Sequence, residues 1–87
     1  MIKVEVLTKF KRQYKKLPRE VREKANARSE IFMANPFDPR LDTHKLHGRD
    51  RFFWGFSVSR SCRIKFEFLG KQGAVFVEIG PHDDVYR

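Results

Sequence analysis

The chain has 87 residues, which predicts a single domain (1–87), and its 40% of apolar residues suffice for one compact core and exclude a disordered chain. The formal net charge of +8 predicts a polyanionic partner, either nucleic acid or an acidic protein. No apolar run approaches the ~20 residues that span a bilayer, and the N-terminus lacks the apolar region of a signal peptide. The single cysteine, Cys62, excludes an internal disulfide and a cysteine-based metal site, so we expect a cytoplasmic protein.

The first third of the chain predicts a strand and a helical hairpin. Residues 2–7 alternate apolar and charged side chains, which is typical of a strand with one buried face. Thr8 is the expected N-cap of a first helix, and Pro18 ends that helix and begins a second one, which runs to about Ala34. The apolar stripes of the two helices are Phe10, Tyr14 and Leu17, and Val21, Ala25, Ile31 and Phe32.

Positive charge concentrates in this hairpin. From Lys9 to Arg28 there are nine Lys and Arg residues against two Glu residues. Such a run is either an ordinary solvated helix face or a surface that meets a polyanion, and the charges alone leave both interpretations open.

The remainder predicts a long polar connection followed by strands. Residues 36–51 contain two prolines and are expected to form the connection. Loops of that length in small domains are usually functional or mobile. Three alternating segments follow, with apolar faces at Phe52, Trp54, Phe56 and Val58, then Cys62, Ile64, Phe66 and Phe68, then Val75, Val77 and Ile79. The order β-α-α-β-β-β predicts an α+β domain in which an αα-hairpin covers an antiparallel sheet.

Three segments carry residues suited to chemistry. The first is His44–Arg49 in the connection, with two imidazoles and two cations, and the second is the strand pair Arg63 and Lys65. The third is the C-terminal run from Gly80 to Arg87, which holds the last histidine, His82. No glycine-rich phosphate loop, metal-ligand spacing or nucleophile elbow occurs, so no cofactor and no metal are expected.

These residue types suit RNA cleavage, which needs a proton acceptor, a proton donor and a cation beside the phosphorane. Histidine can carry the protons and arginine can grip phosphate oxygens. Plainer roles remain open: His82 can bond to backbone in a turn, His44 and His47 can be solvated, and Arg63 can pair with Glu67. Trp54 and the alternating Phe residues are expected in the core.

The ordered motifs resemble the RelE/ParE toxin superfamily. The helix containing Phe10-Lys11-Arg12-Gln13-Tyr14-Lys15-Lys16-Leu17-Pro18 is similar to the opening of those toxins, and Arg40–Gly48 is similar to their "leucine, lysine, leucine, glycine" segment. An aromatic strand, a strand with an arginine, and the ending Gly80-Pro81-His82-Asp83-Asp84-Val85-Tyr86-Arg87 follow in the family's order. The resemblance implies a RelE-like fold, a cognate antitoxin, and metal-independent cleavage of mRNA in the ribosome.

The resemblance also implies roles for individual residues. It implies that Arg63 contacts the scissile phosphate and that His82 transfers a proton. It implies supporting catalytic roles for Tyr86 and His44. We expect the neighbouring cations and His47 to contact RNA: Lys45, His47, Arg49, Lys65, Arg87, Lys11 and Lys15. The spacing of four residues between His82 and Tyr86 departs from family members in which the two adjoin.

Two functions from different classes fit this resemblance. One is an mRNA endonuclease that works with the ribosome, which His82, Arg63 and the His44–Arg49 segment favour. The other is a ParE-like, non-enzymatic inhibitor of DNA gyrase, which needs no proton-transfer histidine. An inactive relative that only binds RNA or represses transcription with its antitoxin is a weaker third possibility.

Overall fold

The computed structural model describes residues 1–81, and residues 82–87 lie outside the described part of the chain. In chain order the elements are β1 (Lys3–Val6), α1 (Thr8–Lys15), α2 (Arg19–Ala34), β2 (His44–Lys45), β3 (Trp54–Ser57), β4 (Cys62–Leu69) and β5 (Gly73–Pro81). Two short 3₁₀ turns, Pro39–Leu41 and Gly48–Asp50, flank β2. The predicted α+β class is confirmed.

The sheet is mixed rather than wholly antiparallel. Its strand order is β1-β5-β4-β3-β2. Strands β3, β4 and β5 form the predicted antiparallel meander, but β1 runs parallel to β5, with Lys3 opposite Gly73. Local alternation shows that a segment is a strand but not which distant strand it pairs with, so the sequence leaves this arrangement undetermined.

The predicted long connection is built into the domain. Leu41 and Leu46 are buried, and His44 and Lys45 pair with β3 as a fifth, antiparallel strand. A strand of two residues has no measurable periodicity, which is why the sequence pattern shows only a loop here. The two buried leucines anchor the segment on the rest of the core.

Phe32 of α2 is the centre of the core and has no exposed surface. Its ring centroid lies 5.0 Å from that of Phe56, 4.7 Å from Phe66 and 5.3 Å from Phe76, so one helical residue meets three strands. These separations are those of favourable aromatic pairs. The helices therefore cover one face of the sheet, and we call the opposite face the outer face.

A bulge in β5 changes which residues face the core. Phe66 lies opposite Phe76 while Lys65 lies opposite Glu78, so Val77 is an extra residue in β5. Phe76 and Ile79 are therefore both buried, and the predicted core face of Val75, Val77 and Ile79 is wrong at its first two positions. The bulge turns Glu78 to the outer face beside Lys65.

The helix ends differ slightly from prediction. Leu7, not Thr8, is the N-cap of α1, and it makes no side-chain cap hydrogen bond, so Thr8 is the first helical residue. Pro18 is the N-cap of α2, and that helix ends at Ala34 as predicted. Within residues 1–81, neither helix combines the length and the apolar character that a membrane crossing requires.

Helix α1 completes the edge of the sheet beside β5. The pairing of β1 with β5 extends only to Phe76. Beyond that point Gln13 of α1 accepts a hydrogen bond from the backbone N–H of Ile79 at 2.9 Å, so a helical side chain takes over the role of a strand partner. Lys9 of α1 reaches around to Glu78, 3.0 Å away, on the outer face.

Candidate functional site

The strand register places several candidate residues on the outer face. Residues directly opposite each other in paired strands point to the same face, as do residues two apart along a strand. One row across four strands is therefore His44, Gly55, Lys65 and Glu78, and the next row is Ser57, Arg63 and Gly80.

An open pocket of about 500 Å³ lies at the β2 edge and is lined by residues 44–50. The structure thus gathers four of the predicted site residues, namely His44, Lys45, His47 and Arg49. Gly48 makes this possible, because its φ of +65° is a left-handed conformation that favours glycine and lets the chain turn tightly under the pocket. Lys45, His47 and Arg49 are exposed.

A backbone carbonyl orients the ring of His44. Its Nδ1 lies 2.8 Å from the carbonyl oxygen of Asp42. A carbonyl oxygen only accepts hydrogen bonds, so Nδ1 must carry the proton, and in the neutral ring Nε2 then holds the lone pair. Asp42 itself has a positive φ of 51°, so the turn before β2 sets the position of this acceptor.

Lys65 lies in a buried ion network. Its side chain is 9% exposed, and its Nζ lies 3.1 Å from Asp50 and 2.8 Å from Glu78. The Phe53 ring centroid lies 5.1 Å from the same Nζ. The prediction that Lys65 contacts RNA stays a prediction: its strand face is as expected, and its ammonium group is held by two carboxylates.

The pKa values of this network reflect mutual stabilisation of the charges. Burial alone lowers the pKa of Lys65, but hydrogen bonds to Glu78 and Asp50 outweigh it, so the net shift is upward. Burial raises the pKa of Glu78, but hydrogen bonds from Lys65 and Lys9 outweigh it and the net shift is downward. Both shifts favour the charged forms of Lys65 and Glu78, and with Lys9 the network pairs two lysines with two carboxylates.

The guanidinium of Arg63 is held against the β3–β4 turn. Its Nη1 donates to the hydroxyl of Ser57 at 3.1 Å and to the carbonyl oxygens of Ser59, Arg60 and Cys62. The alternative role for Arg63, an ion pair with Glu67, is not found among residues 1–81. Arg63 is half-buried, and Gly80, its partner on β5, adds no side chain to the surface beside it.

His44 and Arg63 share the outer face but not one cavity. They are two strands apart and one step along the sheet, which puts their Cα atoms about 12 Å apart. Lys11 and Lys15 lie on α1 beside β5, three strand spacings or about 14 Å from β2, so they are not part of the pocket. His82, Tyr86 and Arg87 lie outside the described residues.

Three residues near the site were not among the sequence candidates. Asp50 lines the pocket, Glu78 lies in the same row of the outer face as His44, and both bind Lys65. A charged residue in an apolar strand is a usable signal for Glu78, but Asp50 carries no distinguishing pattern. Phe52, expected in the core, is 66% exposed.

The described residues give little support for a metal site or a cysteine nucleophile. Within residues 1–81, no group of His, Cys, Asp and Glu side chains is arranged to hold a metal ion. Cys62 is buried, and burial raises the pKa of its thiol, so it is a core residue rather than a nucleophile.

Comparison with known proteins gives a likeness in structure only. No family model and no curated protein matches the chain. The structure of YafQ from E. coli strain BL21(DE3) matches with a TM-score of 0.80 at 13% identity, covering 100% of both chains. The YoeB/ParE toxin from Agrobacterium tumefaciens matches with a TM-score of 0.78 at 16% identity, covering 93% of this chain and 99% of that one.

A third match is the archaeal RelE–RelB complex from Pyrococcus horikoshii OT3, with a TM-score of 0.75 at 14% identity, covering 92% of this chain and 93% of that one. These matches span nearly the whole domain. The chain has the fold of the RelE/ParE toxins.

Proposed function

We propose that this protein is the toxin of a type II toxin–antitoxin pair and that it cleaves mRNA on the ribosome without a metal ion. The observation that carries the proposal is the outer face of the sheet. It holds Arg63 and His44 on one open surface, and Gly80 lies opposite Arg63, two residues before His82. The toxin fold and the net charge of +8 are consistent with this role.

Chain geometry supports joint action of Arg63 and His82. Paired residues such as Arg63 and Gly80 have Cα atoms about 5 Å apart. Consecutive Cα atoms are 3.8 Å apart, so the chain limits the Cα of His82 to about 8 Å from that of Gly80. Both side chains are long enough to meet one phosphodiester across that separation.

In the proposed mechanism, one histidine removes the proton of the 2′-hydroxyl, the 2′-oxygen attacks the phosphorus, and the bond to the 5′-oxygen breaks as a second group protonates it. Nε2 of His44 suits the proton acceptor, since the carbonyl of Asp42 fixes the tautomer. We assign His82 as the proton donor and give Tyr86 a supporting catalytic role.

Arg63 would stabilise the charge that develops on the phosphorane. Its hydrogen bonds to the β3–β4 turn hold the guanidinium before substrate arrives, and donors that need no reorganisation are the most effective at stabilising a transition state. Lys45, His47 and Arg49 would bind the RNA backbone near the pocket. In this scheme Lys65 acts indirectly, by pairing with Asp50 and, together with Lys9, with Glu78.

The test uses a purified translation system that contains a chelator, with mRNA cleavage read by primer extension. We expect His82→Ala to lower the cleavage rate about 10²–10⁴-fold, and Arg63→Lys about 10²–10³-fold, because lysine keeps the charge but lacks the planar fork. Arg60→Lys, in the exposed turn, is the matched control and should cleave at the normal rate. Full cleavage by His82→Ala would refute the mechanism.

A gyrase inhibitor of the ParE kind remains the alternative outcome. Cells that express the protein distinguish the two, because a ribonuclease stops protein synthesis first, whereas a gyrase inhibitor stops DNA replication first and induces an SOS response. If replication stops first, the nuclease proposal is wrong and the toxin proposal stands.

We also propose a cognate antitoxin that binds this toxin as a hetero-oligomer. Solved relatives include the RelE–RelB complex and the DinJ–YafQ complex from E. coli. A surface with a net charge of +8 favours an acidic partner segment, because complementary charges steer association. A short reading frame for an acidic protein beside this gene is expected, and association with its product should slow as salt is raised.

A further inference from the structure

Phe52 is an exposed aromatic residue immediately beyond the pocket. Its side chain is 66% exposed, and it lies two residues after Asp50, the last residue of the pocket lining. The turn that carries it is closed by a hydrogen bond of 2.8 Å from the N–H of Phe53 to the carbonyl of Asp50. Phe52 thus lies in a closed turn at the surface, two residues before β3 begins at Trp54.

Phe52 differs from the other strongly exposed phenylalanine, Phe37. The Phe37 ring packs against Trp54 and Phe68, with centroids 5.6 and 5.9 Å away, and so extends the core outward. Phe52 instead has a cation beside it: the guanidinium carbon of Arg51 lies 4.7 Å from its ring centroid. This contact orients the ring while leaving most of its surface in solvent.

The charge around Phe52 favours an anion. Asp50 is the one carboxylate among residues 44–50, and Lys65 neutralises it. The cations Lys45, Arg49 and Arg51 then leave this corner of the molecule positive. An exposed ring among cations is the combination that single-stranded nucleic acids prefer, because bases stack on the ring while the cations meet phosphates.

We propose that Phe52 and the pocket of residues 44–50 form a subsite for one unpaired nucleotide of the RNA. The base stacks on Phe52, and Arg49 and Lys45 meet the adjoining phosphate. The pocket volume of about 500 Å³ falls within the range of about 300–1,000 Å³ usual for small-ligand sites. The base must be unpaired, because bases within a duplex hide their faces in the stack. This subsite rests on the proposed function only in taking RNA as the partner.

The test measures binding of the full-length protein to a short fluorescent oligoribonucleotide whose 2′-methoxy groups prevent cleavage. We expect Phe52→Ala to weaken binding about tenfold to a hundredfold, Phe52→Leu to weaken it similarly, and Phe52→Trp to keep it, because stacking needs a ring. Phe37→Ala is the matched control and should bind like the parent protein. The same strand annealed to its complement should bind equally to parent and Phe52→Ala proteins.

Salt dependence separates the base contact from the phosphate contacts. Phe52→Ala should leave the slope of log affinity against log salt unchanged, whereas Arg49→Ala should make it shallower by about one phosphate contact. Normal binding by Phe52→Ala or by Phe52→Leu would overturn the subsite. Because this assay involves neither cleavage nor ribosomes, loss of binding with Phe52→Ala would stand even if the parent protein fails to cut mRNA, so the two proposals fail separately.

Discussion

Replacing Lys65 by Met tests whether the buried ion network stabilises the domain. Methionine keeps most of the length of the side chain but removes its charge, which leaves Asp50 without the cation 3.1 Å away and Glu78 with Lys9 only. Removing one partner of a buried pair costs about 3–5 kcal/mol. The two carboxylate side chains are 16% and 13% exposed, so partial hydration favours the lower end of this range, about 3 kcal/mol.

Urea unfolding followed by circular dichroism measures the loss directly, and thermal melts provide a second readout. For a chain of 87 residues, 1 kcal/mol corresponds to about 5 °C in Tm, so we expect a decrease of about 15 °C. Lys71→Met, at an exposed position in the β4–β5 turn, is the matched control and should change stability by less than about 0.5 kcal/mol. A Lys65→Met protein as stable as the parent would refute the reasoning, because it would mean that the carboxylates need no buried counterion.

Three further predictions concern packing, backbone and pH. Phe32→Ala should cost about 3–5 kcal/mol in urea unfolding, because this ring meets three strands. A loss below about 1 kcal/mol, as expected for exposed Phe52→Ala, would contradict its central position. Gly70→Ala should lower the free energy of unfolding by about 1 kcal/mol, because φ at this position is +65°. The space around the missing Cβ is open, so the loss measures backbone strain alone. An unchanged urea midpoint would argue against that backbone conformation. The pKa of Glu78 is lowered from 4.5 in the folded state, so its contribution to stability is present above pH 4.5 and is lost as the pH falls through the folded-state pKa. Urea midpoints measured against pH should therefore fall less in acid for Glu78→Gln than for the parent protein. Identical pH profiles of the two proteins would contradict this role of Glu78.

Much of the fold follows from local sequence patterns. The helical hairpin, its break at Pro18 and its end before Pro36, and the three-strand meander were all predictable, because each depends on periodicity and on proline chemistry within a few residues. Local sequence patterns fail to predict which side chains are buried where long-range geometry overrides them. The bulge at Val77 rotates half of β5, and Phe52 leaves the core because the strand starts only at Trp54.

For the candidate site, the sequence identified the types of residue but not their environments. The His44–Arg49 segment could be recognised as a cluster because its members are neighbours along the chain, and the structure places them around one pocket. The environment of Lys65 could not be recognised, because its partners Asp50 and Glu78 are distant in sequence. Glu78 meets it only when β5 pairs with β4, and Asp50 only when the turn Gly48–Asp50 packs beside it. An exposed lysine and a buried one look the same in an alternating strand.

The sequence alone therefore determined the class of fold, the basic character and the set of side chains available for chemistry, since these depend on composition and on spacing along the chain. The tertiary structure decided which charges are neutralised and which remain for a partner. It also decided that β1 lies parallel to β5 and that β2 adds an edge strand beside the pocket. The physical reason is that strand pairing and burial are long-range, so the electrostatic state of a residue depends on neighbours that the chain brings together only on folding.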